Sequence, residues 1–412
     1  MKSCVGFILD LSDKTLMHLQ NIKMTISGDQ IKNYFPFISF LSNCIDDQFD
    51  IFIGSYGLKN SYNNICDIIL LFERLLLNTL LPNIQNLDAE SNQQYKAIFC
   101  KKFKDAGAVK FSELIESTFD NTKCLYLLSA FQNDPLTYDE IGYIEQKKVD
   151  KLRSFKFSNI SDTYISKKSM IKYIFDILTK SKSYLLTESI FMKLKNDPYQ
   201  CLVRKFLFSI LEFLQFDRKP DHFFPYSPNK IIDIISNLCI RLPPECKQSI
   251  IDIIQEIFFN SIQRIDLALT AAYKTFRTKK YLNKYLIIIS NGTFTGSTND
   301  PLQIINDNKN QACIICCYLG PKKIDNPKQL FYNNYPSNFD DGGKKLFQMS
   351  SVISICYPVF LYLTRRGWKI PSSGFCRLFA YANDENMIYE FISIMKDVIN
   401  NNDIFVNIRG TL

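Results

Sequence analysis

Histidine is nearly missing from this chain. Its 412 residues include two, His18 and His222, and a single tryptophan, Trp368. Neither histidine stands near a cysteine or serine signature, so a Cys-His or Ser-His-Asp hydrolase finds no support, and no other nucleophile, acid-base pair or cofactor loop stands out. The lack also starves a zinc site. Of the 13 cysteines, Cys313, Cys316 and Cys317 sit closest together, but on one expected strand. Strand alternation sends Cys313 and Cys317 to one face and Cys316 to the other, and no second cysteine pair or histidine lies at ligand spacing. Long apolar runs are lacking as well. The stretch 353–363 is broken by Pro358 and ends in Arg365-Arg366, and the N-terminal run is stopped by Asp10. Neither a membrane span nor a signal segment is expected. Strong charge imbalance is absent too: the net charge is +8, with the lysines scattered. The short clusters Lys101-Lys102-Phe103-Lys104 and Arg277-Thr278-Lys279-Lys280 could touch phosphate or acidic lipid, although runs of this size are usually solvated faces.

What is present is core-forming material. A hydrophobic content of 46% and an aromatic content of 14% suffice for two or three ordinary domains, or for one domain with a large insertion. The odd number of cysteines, and their placement inside apolar segments at Cys4, Cys44, Cys66, Cys239 and Cys356, fit reduced and buried thiols. A cytoplasmic location is therefore expected.

The segment CVGFILDLSDK, residues 4–14, is an unbroken apolar run that ends in a polar turn. This is the pattern of a buried parallel strand whose carboxyl end opens onto a site. YLIIISNGTF, residues 285–294, repeats it, with Ser290, Asn291 and Gly292 at the exit. The two predict one sheet with a common rim, and the crevice outside such strand ends is where open α/β sheets bind ligands. DIFIGSYG, 50–57, reads as a second buried strand and 63–81 as a helix. No antiparallel edge strand is legible between them. ACIICCYLG, 312–320, and FCRLFAYAN, 375–383, read as later strands, and 385–399 as a closing helix. Pro301 opens a helix after the rim loop. Gly342-Gly343-Lys344-Lys345 opens another, without the spacing of a phosphate loop. The aromatic-rich loop before it, 321–341, is expected either to make protein contacts or to tuck onto its own sheet. Trp368 reads as a packing anchor.

From 83 to 260 the character changes. Segments such as CLVRKFLFSILEFLQF and CKQSIIDIIQEIFFNSI have helical periodicity and polar caps but no repeated consensus, so a helical bundle is favoured over a repeat platform. Residues 213–228, with three prolines and His222, read as a linker.

The ordered strands resemble the von Willebrand factor A (VWA) domain. Asp10-Leu11-Ser12-Asp13-Lys14 is similar to its DxSxS loop, the segment ending Ser290-Asn291-Gly292 to its IIISDG strand end, and 262–276 to its TxIxxAL helix. The resemblance covers about half the chain, at both ends. It implies an α/β, doubly wound, mostly parallel sheet formed by 1–82 and 261–412, with 83–260 as a large all-helical insertion. It also implies a metal-ion-dependent adhesion site, where a cation such as Mg2+ would sit on Asp10 and Ser12 and take a carboxylate from a partner. Three of the five positions depart from the pattern: Lys14, Gln263 and Asn291 stand where serine, threonine and aspartate are expected. A lysine beside Asp10 makes an internal ion pair and repels a metal. A degenerate, metal-free site is therefore expected, with a site rebuilt through Asp13 or Asp300 as the alternative. The expected function is a non-enzymatic protein-interaction module or scaffold that uses the rim at Lys14, Gln263 and Asn291 or the insertion. The alternatives are a cation-dependent adhesion-type protein binder and a nucleic-acid-associated scaffold, the latter calling for a continuous lysine stripe on the surface.

Overall fold

Residues with two buried faces dictate the architecture. In β1 (Ser3–Asp10), β2 (Phe49–Tyr56), β4 (Lys284–Ser290) and β5 (Cys313–Leu319) nearly every side chain is buried, as expected when helices cover both sides of a parallel sheet. The computed structural model describes residues 2–12, 49–57, 65–78, 89–120, 124, 221–241, 263–308, 312–320, 326, 328–333, 335, 339–354, 361, 363–382 and 385–400. Lys14, Asp13 and most of the expected insertion lie outside them.

The main sheet has six strands in the order β3-β2-β1-β4-β5-β8, where β3 is Ile65–Asp67 and β8 is Phe379–Ala382. All neighbours pair in parallel except β2 and β3. The order reverses between β1 and β4, the topological switch at which an open α/β sheet forms its crevice. The antiparallel β3 is the edge strand the sequence did not reveal: the stretch expected to be one helix is the strand Ile65–Asp67 followed by α1 (Ile68–Asn78). A second correction concerns the aromatic C-terminal strand. It splits into β7 (Phe375–Arg377), which pairs antiparallel with β6 (Val352–Ser354), and β8 in the main sheet.

By contact clustering the chain divides into two compact units. One comprises Met1–Leu71, Asp217–Ser236 and Glu256–Leu412, and the other Phe72–Phe216 and Asn237–Gln255. In the second unit, α2 (Ala89–Asp105) and α3 (Val109–Thr118) form a helical hairpin. Phe103 packs against Phe99 and Phe111 at centroid distances of 5.0 and 4.8 Å. The Ser112 hydroxyl donates to the Cys100 carbonyl.

In the first unit, one sheet face carries Cys4, Ile8, Phe52, Tyr56, Ile288, Cys316 and Tyr318. It is covered by α5 (Ile265–Thr278), α6 (Pro301–Asp307) and α7 (Asp341–Met349). Helix α6 starts as its sequence dictates, with the Asp300 carboxylate accepting from Leu302 N and Pro301 in the first turn. Helix α7 ends at Met349 and gives way to β6. The last helix, α8 (Glu385–Asn400), follows β8, and its Glu390 accepts from Trp368 Nε1 at 3.0 Å, so the buried tryptophan anchors the turn before β7.

The segment expected as a linker is built into this unit where it is described. Tyr226 exchanges both backbone hydrogen bonds with Ile51 of β2, and α4 (Pro228–Arg241) follows in sequence. The buried Phe223 ring stacks on Phe52 at 5.5 Å and occupies space that only a glycine at position 54 leaves open, since a Cβ there would lie 2.4 Å from the ring. Where it is described, the aromatic loop packs on its own sheet: Phe339 is buried on Tyr381 and Phe379, both at 5.6 Å, with Tyr335 stacked behind it.

Candidate functional site

The switch point places Asp10, at the end of β1, beside Ser290, at the end of β4. Both are buried. Asp10 Oδ1 accepts from the Ser12 amide at 3.0 Å, and Oδ2 accepts from Ser290 Oγ at 2.8 Å and from the Asn291 amide at 3.4 Å. Ser290 Oγ in turn accepts from Tyr56 OH at 2.7 Å and from the Gly292 amide at 2.8 Å. Its single proton and both lone pairs are thereby engaged. The result is a chain from Tyr56 through Ser290 to the carboxylate, each bond polarising the next in a site shielded from water. Burial, followed by the negative charge of Asp10, pushes the Tyr56 phenol well above its ordinary range, so it remains a proton donor.

The loop leaving β4 has no freedom at its first turn. Gly292 has φ +72°, and a Cβ there would lie 2.2 Å from the Gly342 carbonyl oxygen at the start of α7. Asp340 caps that helix by accepting from Gly343 N at 2.8 Å.

Asn291, at the position where the resemblance leads one to expect an aspartate, has a fixed orientation. Oδ1 accepts from the Thr293 amide at 2.8 Å, a bond the NH2 group cannot make, so the amide presents Nδ2, which is buried without a hydrogen-bond partner. Gln263, also buried, ties to the same loop: its amide donates to Thr295 O at 2.7 Å and its carbonyl accepts from Ser297 Oγ at 3.2 Å, while Oε1 has no partner. A hard cation requires several oxygens, preferably charged. This set offers the one carboxylate of Asp10, already accepting three hydrogen bonds, the neutral oxygens of Ser12 and Gln263, and an N–H donor in place of an anion. These residues do not fit a divalent ion. Of the two alternative ligands, Asp300 is the N-cap of α6 and Asp13 lies outside the described residues. Among the described residues no cluster of three or more His, Cys, Asp or Glu is placed to hold a metal.

Beside this clasp lies a feature the sequence reading missed. Asp266, fully buried in the first turn of α5, takes two bonds of 3.0 Å from Arg264 and one of 3.1 Å from Thr298 Oγ1. Burial pushes its carboxyl up, but the Arg264 guanidinium and Thr298 outweigh it and hold the group below the usual carboxylate range. The only sequence signal was an Arg and an Asp two positions apart at a helix start. The loop that Asp266 pins, with α6 and α7, lines an open cavity of about 210 Å³ in which Ser297, Thr298 and Asn299 face Phe294, Leu302 and Met349. The exposed Lys345 also lines it, with its ammonium 6.0 Å from the centre of the Phe294 ring.

Of the sequence-derived site residues, Asp10, Ser12 and Asn291 therefore meet in one hydrogen-bonded clasp, and Gln263 joins the loop that leaves it. The cysteines of β5 do not converge: burial raises the thiols of Cys313 and Cys316 to about 12, which leaves them protonated and unreactive. Compared with family profiles, curated proteins and solved structures, the chain matches none.

Proposed function

We propose that this protein is a non-enzymatic interaction module built on a VWA-like sheet whose adhesion site has become a structural clasp. The observation that carries the reading is the Asn291 amide, which turns an N–H donor into the position where a metal-binding aspartate would place an oxygen. Because Asn291 and Gln263 are buried, a partner meets the loop they support and not their side chains. The cavity lined by Ser297, Thr298 and Lys345 suits a partner segment that offers a carboxylate to Lys345 and an apolar side chain to Phe294 and Met349. The strand order and the switch-point location favour this end of the sheet over the others.

Calorimetric titration with Mg2+ and Mn2+ tests the reading. The wild-type chain gives no saturable heat, and Asn291→Asp together with Lys14→Ser restores cation binding. Saturable binding by the wild type that is lost in Asp10→Asn would return the site to metal-dependent adhesion. Proximity labelling of partners by the wild type and by Lys345→Glu then tests the cavity: an unchanged set of labelled proteins rules it out as the contact.

A further inference from the structure

At the opposite end of the sheet, where β1, β2 and β4 begin, cations that are far apart in sequence gather around one carboxylate. Asp50, with its side chain 10% exposed, takes Lys2 Nζ on Oδ1 and Lys279 Nζ on Oδ2, each at 3.3 Å. Tyr281 OH adds a third bond of 3.2 Å to Oδ2. Lys2 and Lys279 keep 46% and 59% of their side-chain surface in water. Lys280 and Arg277 are exposed beside them, and Arg277 is held by Asn308 Oδ1 at 2.7 Å. Lys284, partly buried, opens β4 opposite Cys4. It is close enough to Arg277 that, after burial, the positive charge of Arg277 helps to lower its pKa.

Beside Lys2 stands an exposed apolar side chain. Leu282 is 49% exposed, and its amide donates to the Lys2 carbonyl at 2.9 Å, which fixes the leucine beside the lysines. The neighbouring aromatic, Tyr281, is buried with its hydroxyl on Asp50. A nucleic-acid strand would use the charges but offers no apolar layer for a leucine, and it binds best where aromatic faces are free to stack on bases. An anionic bilayer uses both, since basic residues meet its phosphates while a single apolar side chain enters the headgroup boundary.

We propose that the amino end of the sheet is a peripheral docking surface for an anionic lipid bilayer, with Leu282 entering the headgroup layer and Lys2, Arg277, Lys279 and Lys280 facing lipid phosphates. The surface is separate from the clasp at the other end of the same strands, so it stands or falls independently of the function proposed above.

Co-sedimentation of the full chain with phosphatidylcholine vesicles, with and without phosphatidylserine, tests it. The protein should sediment only with the anionic vesicles, and less so as salt rises. Each lysine lost near the surface weakens binding roughly fivefold, so Lys279→Gln with Lys280→Gln should lower it by more than tenfold. Leu282→Ser should lower it severalfold. Lys280→Gln and Leu282→Ser lie at exposed positions and should unfold at the wild-type temperature, whereas Lys279→Gln, which removes one of the two lysines on Asp50, should lower that temperature only slightly, so thermal unfolding separates lost docking from lost folding. Equal binding to neutral vesicles, no sedimentation with anionic ones, or indifference to the lysine pair each overturns the proposal. A fluorescent single-stranded oligonucleotide that binds more tightly than the vesicles, depends on the lysine pair and ignores Leu282→Ser would reassign the surface to nucleic acid.

Discussion

The two ends of the central strands neutralise an aspartate in opposite ways. At the carboxyl end, Asp10 is held by donors from β4 and from the loops that follow β1 and β4, within a clasp closed to water. At the amino end, Asp50 is held by two half-exposed lysines and a tyrosine. Donors held in place by the backbone have given up their water on folding and bond the carboxylate without a competing partner, whereas ammonium groups at a surface keep water as a competing partner. The first arrangement fixes geometry; the second leaves charge available to a partner. That contrast underlies the two proposals: the clasp at the carboxyl rim offers no free anion, while the amino edge keeps charged ammonium groups in water.

Removing each carboxylate sharpens the contrast most. Asp10→Ala strands buried donors on Ser12, Ser290 and Asn291 and should cost about 3–4 kcal/mol, whereas Asp50→Ala releases lysines to water and should cost about 1 kcal/mol, both read by urea unfolding. Equal losses would break the comparison. Gly292→Ala forces a side chain into the left-handed region and onto the Gly342 carbonyl, and should cost about 2–3 kcal/mol. An alanine tolerated there would show that the loop over the clasp yields. The smallest effect lies in acid. The carboxyl of Asp266 sits below its ordinary value, so the stability it contributes is present above its unfolded pKa of about 3.9 and is lost as pH falls through the lower folded value. Arg264→Ala should flatten that acid limb, and an unchanged limb would remove Asp266 from the account.

The parts that could be read from sequence were those fixed by neighbours along the chain. Unbroken apolar runs gave away β1, β4 and β5, and Pro301 marked the start of α6. Asp10, Ser12 and Asn291 were legible because a polar turn interrupts an apolar run. What escaped depends on register. Tyr56 meets Ser290 across 234 positions, and nothing local in DIFIGSYG marks that tyrosine as a donor. The edge strand β3 escaped because three residues that continue an apolar helical pattern carry no period of their own. Prolines and charge around His222 read as a linker, yet Phe223 and Tyr226 are held by Gly54 and Ile51, contacts that no local pattern announces.

Asp67 lends that return segment one further significance. Its Oδ1 accepts from Leu70 N, where the chain departs into the second unit, and its Oδ2 accepts from Phe224 N, where the chain has come back, 157 residues later. One side chain thus knots the mouth of a long excursion. Closing a loop of this length costs roughly 4 kcal/mol of chain entropy, and doubling the length adds only about 0.6 kcal/mol more. With its mouth tied at this carboxylate and at the Ile51–Tyr226 bridge, the excursion can lengthen or shorten while the sheet feels only the logarithm of the difference.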